Sequence, residues 1–189
     1  MKIDKKHKGM VVWLTGLPAS GKSTIARLLK EEFSSQNIPS FILDGDILRK
    51  GINKDLDYSL AGRLENIRRA SEIAKLFCEV GFFVIVSLIS PYRAGRKKAK
   101  DTIGAKNFVE VFVDCPLQEC MKRDPKGLYK KAQLGHIKHF TGISDPYENP
   151  IHPDIHLKTD SMSYQDCVQK VMDFLMKKGL SQKAGSAST

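Results

Sequence analysis

Cysteine is sparse in this chain, and its few copies form no motif. Cys78, Cys115, Cys120 and Cys167 contain no C-x-x-C unit. A redox dithiol is thereby excluded, and reduced, mostly buried thiols are expected, as in a cytoplasmic protein. Long apolar runs are missing too. None approaches the roughly 20 residues a membrane-spanning helix needs, so no membrane partner is expected. The basic opening "MKIDKKHKGM" lacks the apolar stretch and small-residue site of a secretory leader. Repeats and low-complexity linkers are absent between residues 9 and 180. One domain is expected over 9–180, preceded by a basic arm over 1–8. The small polar stretch "SQKAGSAST" over 181–189 reads as a disordered tail.

Hydrophobic residues make up 41% of the 189 and charged residues 28%, a globular composition. The net charge of +10 favours an anionic ligand without choosing one. Strand-like and helix-like segments alternate. "MVVWLTG" is a continuous apolar run, as in a strand covered on both faces. "SFILD", "FFVIVSLI", "FVEVFVD" and the weaker "IHLKTD" read as further strands. Helices are expected from Lys22 to about Phe33, Arg63 to Val80 and about Arg93 to Thr102, then over "PLQECMKR" and up to Gly179. The fold class is α/β, a three-layer parallel sheet between helices. Ligands of such sheets lie beyond the carboxyl ends of the strands.

The first strand runs into "GLPASGKS", a G-x-x-x-x-G-K-[ST] loop that a helix follows. That context makes it a P-loop. Gly16 and Gly21 let backbone N–H groups turn inward on phosphate oxygens. Lys22 is expected to bridge the β- and γ-phosphates of ATP and Ser23 to ligate Mg²⁺. Ala19, Ser20 and Thr24 complete the nucleotide cradle. The "NKxD" segment of guanine-nucleotide switches is absent, since "NKDL" at 53–56 precedes the third strand. No acid ends the third strand either, so Asp44 is the metal-side candidate. A small-molecule kinase is the class these features favour.

Asp44 and Asp46 close the second strand, and Arg49 shares a helical face with Asp46. A carboxylate there can take a proton from an attacking hydroxyl, and arginine offers a fork for an anion. Arg63 and Asn66 open the next helix, while Arg68 and Arg69 read as a solvated face. Tyr58 and Phe140 stand in polar loops, where each either stacks on a purine or closes the core. The basic run Arg93–Lys100 reads as a solvated helix face. "KRDPKGLYKKAQLG" brings Arg123, Lys126, Lys130 and Lys131 around Pro125 and Gly127, as in a mobile basic lid over phosphates.

These strings together resemble the adenylyl-sulfate kinase family from about Gly9 to Leu180. The match includes "LISPYR", and the strings "DPKGLYKKA" and "FTGIxxPYE", the latter within "HFTGISDPYE", are far more specific than the P-loop. The resemblance implies Mg-ATP phosphorylation of the ribose 3′-hydroxyl of adenylyl sulfate. It also implies a cytoplasmic homodimer, with functional coupling to ATP sulfurylase. By motif, Asp46 would accept the hydroxyl proton, and Lys22 and Ser90 join it as the catalytic set. Arg49, Arg63 and Asn66 would hold the phosphosulfate, Tyr58 and Phe140 the adenine, and Ile89 and Lys126 would line that site. Arg123 goes with the nucleotide. Ser90 matches a serine described as a phosphoserine intermediate in some members. No His or Lys stands beside it to activate it, which favours direct transfer. Ile47 and Tyr58 depart from the Asn and Phe common in the family. A kinase with another acceptor and a nucleic-acid-binding P-loop protein are the rival readings. The loop aromatics and arginines oppose the first, and the lack of any DNA- or RNA-reading motif opposes the second.

Overall fold

The computed structural model describes residues 9–180; the expected arm over 1–8 and tail over 181–189 lie outside the described residues. Five strands form one parallel sheet: β1 (Met10–Thr15), β2 (Ser40–Asp44), β3 (Phe83–Ser87), β4 (Phe108–Asp114) and β5 (Ile155–Lys158). Their order is β2-β3-β1-β4-β5, with β1 at the centre. All six residues of β1 are buried, which explains its unbroken apolar sequence.

Alternate residues of β1 feed opposite cores. Met10, Val12 and Leu14 pack with Ile25, Leu29 and Phe33 of α1 (Lys22–Ser35) and with Val171 and Leu175 of α7 (Tyr164–Lys177). Val11 and Trp13 pack on the other side, with Ile67, Ala70 and Ala74 of α3 (Leu60–Glu79) and Ala99 and Ile103 of α4 (Arg93–Ile103). A third cluster joins Cys115, Cys120, Tyr129, Ala132 and Phe140 beneath α5 (Leu117–Arg123) and α6 (Leu128–Gln133). All four cysteines are buried, as expected of them.

The expected helix at Arg63 begins earlier, at Leu60, because the Ser59 hydroxyl caps it by accepting from Gly62 N–H. Two helices, α2 (Gly45–Lys50) and α6, were not expected as separate elements. Six residues are too few to show a helical period, so α2 reads only as a helical turn at Asp46 and Arg49, and α6 only as part of the basic lid. No described helix is long and apolar enough to cross a membrane.

Parallel pairing puts Thr15, Asp44 and Ser87 at the same edge of the sheet. The segments that follow them therefore meet. Phe33 is fully buried between α1 and the sheet, 5.2 Å from the ring of Phe83. Phe33→Ala is expected to lower folding stability by about 3–5 kcal/mol, read from urea unfolding.

Candidate active site

The loop after β1 is shaped by steric exclusion. A Cβ at position 16 would lie 2.3 Å from the Val113 carbonyl oxygen, so only glycine lets the chain turn there. Gly21 adopts φ 102° as the cap of α1, with the Tyr164 ring against its open face. Lys22 is buried and folds back, donating to the carbonyls of Gly16 at 3.0 Å and Leu17 at 2.7 Å. Burial pushes its ammonium pKa down to about 8, against the opposing pull of Cys120, Asp44 and Asp46.

Ser23 Oγ donates to Asp44 Oδ2 at 3.1 Å. The other Asp44 oxygen caps α2 by accepting from Asp46 N–H at 2.9 Å. A hydroxyl and a carboxylate, both hard oxygen donors, face the cleft together. That pair fits Mg²⁺, which usually takes one or two protein oxygens and completes its shell with phosphates and water.

Opposite stands the second group. Asp46 is ion-paired with Lys126, which reaches over from the α5–α6 turn. The hydrogen bond to Asp46 raises the Lys126 pKa. Arg49 donates to the carbonyls of Leu56 and Asp57, and its guanidinium lies 4.1 Å from the centre of the Tyr58 ring. Asn66 accepts from the Asn53 amide at 2.9 Å through its own oxygen. Both groups line one cleft of about 750 Å³, with Ala19, Gly21, Lys22, Ser23, Thr24, Asp44, Ile89, Ser90, Arg123 and Phe140 in its walls. Such a volume lies in the range of ligand sites. Gly16 and Ser20 sit just behind that wall, Ser20 being fully buried.

Several expectations change. The basic run Arg93–Lys100 is solvated at Lys97 and Lys98, but Arg96 is buried and paired with Glu110 at 2.8 Å. Arg69 is not simply a solvated residue: it grips Asp55 with two nitrogens and the Ile52 carbonyl, fastening α3 to the preceding turn. Arg63 is buried, and donates to the carbonyls of Tyr58 (2.9 Å) and His139, so it joins the two aromatic-bearing loops. Phe140 is also mostly core, meeting Tyr129 edge-on at 5.0 Å while still lining the cleft. The basic lid is a pair of short helices docked on the P-loop, where the Tyr129 hydroxyl donates to the Pro18 carbonyl. Arg123 is held by the carbonyl and hydroxyl of Thr159. Ser90 Oγ accepts from the Trp13 indole at 3.0 Å. Asp114, which ends β4, pairs with His156 on β5 instead of entering the cleft. Tyr164 was missed altogether; only its place at the start of the last helix, far along the chain, hinted at it.

A P-loop at the carboxyl edge of a parallel sheet, facing an acid and three cations across one cleft, defines a small-molecule P-loop kinase. A family profile described as adenylylsulphate kinase matches residues 8–158. The adenylyl-sulfate kinase of Emericella nidulans is 49% identical over 185 residues, covering 93% of this chain and 89% of that protein. That of Clostridium acetobutylicum is 48% identical over 170 residues, covering 90% and 84%. The Mycobacterium tuberculosis APS kinase in complex with AMPPNP and APS superposes with a TM-score of 0.87 at 45% identity, over 90% of this chain and 99% of that one. The chain belongs to the adenylylsulphate kinase family.

The depressed Lys22 pKa has a definite sign. The folded protein binds fewer protons than the unfolded chain between about pH 8 and 10.5, so burial of this ammonium costs stability at lower pH and the cost fades as pH rises through that window. A polyphosphate would favour the charged form again. Nucleotide binding at about pH 9, inside that window, is therefore expected to take up protons. Calorimetry in buffers of different ionisation enthalpy would reveal it, and Lys22→Met would abolish it.

Proposed function

We propose that the protein transfers the γ-phosphate of ATP to the ribose 3′-hydroxyl of adenylyl sulfate, giving 3′-phosphoadenylyl sulfate and ADP. The supporting observation is the single cleft, in which Lys22 and Ser23 share one space with Asp46, Arg49, Arg63 and Asn66. The P-loop backbone and Lys22 would hold the donor phosphates, with Arg123 over the nucleotide. Ser23 and Asp44 would hold Mg²⁺, which neutralises phosphate charge when bound.

On the acceptor side, Asp46 would take the 3′-hydroxyl proton. Lys126 pairs with one oxygen of that carboxylate, Oδ2, and the 3′-hydroxyl would approach the other. Arg49, Arg63 and Asn66 would hold the phosphosulfate, and Tyr58 and Phe140 the adenine. Arg63 has two nitrogens engaged by backbone carbonyls, so its third nitrogen is the one open to an anion. Asn66 offers its amide N–H₂, since its oxygen is taken. The docked α5–α6 pair would exclude water, so that transfer outruns hydrolysis.

Direct transfer is favoured over a phosphoserine. Ser90 is buried, its Oγ accepts from Trp13, and the nearby guanidinium of Arg96 bonds its carbonyl rather than its hydroxyl. Among the described residues no base stands on its hydroxyl. The same reading makes the protein a cytoplasmic homodimer in sulfate assimilation, coupled to an ATP sulfurylase that makes its substrate.

The decisive assay incubates the protein with Mg-ATP and adenylyl sulfate, beside adenosine and shikimate controls. Turnover of adenylyl sulfate to the 3′-phosphorylated product is expected, and phosphorylation of a control at equal rate would overturn the reading. Asp46→Ala is expected to lose about 10²–10⁴-fold in kcat. Ser90→Ala is expected to keep measurable turnover; complete loss with intact substrate binding would restore the covalent route.

A further inference from the structure

Arg96 is a buried charge engaged through all three of its nitrogens, and the expected chemistry gives it no part. Only 3% of its side chain is exposed. Each of its three nitrogens has its own partner. Nε donates to Glu110 on β4 at 2.8 Å, Nη1 to the Ser90 carbonyl at 2.6 Å and Nη2 to the Glu148 carbonyl at 2.6 Å. A lysine could not make this set, because it lacks the planar fork.

What Arg96 grips is the cleft wall after β3. Ser90 has φ 47°, a left-handed conformation that a serine adopts only under constraint. Three side chains from two elements, β1 and α4, supply that constraint. Thr15 donates to the Ile89 carbonyl at 2.7 Å, Trp13 donates to Ser90 Oγ, and Arg96 holds the Ser90 carbonyl. Glu148 completes the frame, its N–H bonding the Pro91 carbonyl and its carboxylate accepting from Arg93 N–H at the start of α4.

We infer that Arg96 is a positioning residue for the acceptor half of the site: it holds Ile89 and Ser90 at the geometry the acceptor needs, without touching the acceptor itself. The assignment depends on the acceptor site proposed above. The P-loop shares none of Arg96's own bonds and meets this wall through a long 3.4 Å contact from Gly16 N–H to the Ile89 carbonyl, so the effect of losing Arg96 falls mainly on the acceptor side.

The test is Arg96→Lys, read in two ways. Steady-state kinetics should show KM for adenylyl sulfate raised about tenfold or more, as misplacement of a binding wall produces, with KM for ATP moving far less. Trp13 is the chain's one tryptophan, and it is bonded to Ser90, so its emission reports on this wall with no substrate present. Emission should shift in Arg96→Lys. Glu110→Gln, which keeps an acceptor but removes the charge, should show the same pattern more weakly, and decides the matter if the first variant does not fold. Val171→Ala, in the opposite core, is the control for general loosening: it should lower Tm without splitting the two KM values. Unchanged emission and KM in Arg96→Lys, or equal rises for both substrates, would overturn the inference, as would the same split in Val171→Ala. Wild-type turnover of adenylyl sulfate separately tests the underlying reading, and the emission measurement stands apart from it.

Discussion

The cleft hangs from the carboxyl end of β1, where Gly16 turns the chain within 2.3 Å of where a side chain would strike the Val113 carbonyl. That close approach lets the loop lie flat on the sheet edge, with Lys22 dropping behind it onto the carbonyls of Gly16 and Leu17. Moving the loop outward would carry Ser23 away from Asp44 and Tyr129 away from the Pro18 carbonyl. The metal-side pair and the docking of α5–α6 both follow from one missing Cβ.

Buried charge is arranged differently in the two halves. On the donor side Lys22 is surrounded by carbonyls and keeps a lowered pKa, so its charge is poorly compensated before phosphate arrives. On the acceptor side the cations are already engaged: Arg63 with two carbonyls, Arg49 with two more and an aromatic face, Arg96 with a carboxylate and two carbonyls. Arg49 and Arg63 hold loops as well as lining the cleft, and Arg96 holds the wall behind it. That is why Tyr58 and Phe140, on loops far apart in the chain, border one cavity.

The sheet was legible because its signal is local. Each strand is a short apolar run, and the P-loop lies between a strand and a helix. Most of the cleft-facing residues were legible for the same reason, since they follow strands directly. What escaped depended on partners distant in sequence. Nothing near Arg96 announces that it is buried, because the carboxylate that neutralises it stands on β4 and its carbonyl partners on two separate loops. The two strings "LISPYR" and "HFTGISDPYE" resembled a family but gave no hint that they touch, which they do through Pro91, Arg93 and Glu148. Tyr164 meets Gly21 across the whole chain. The short helices α2 and α6 were hidden by length, not by composition.

Lys22 carries one more consequence. Its charge is stripped of water when the chain folds, before any nucleotide is present. The empty protein is thereby made weaker so that the occupied one can be tighter. Methionine at this position would spare that desolvation, but it would leave the Gly16 and Leu17 carbonyls without their donor. The fold asks here for a donor to those carbonyls and not for a charge, so the desolvated ammonium is the part of Lys22 that only a polyanion would repay.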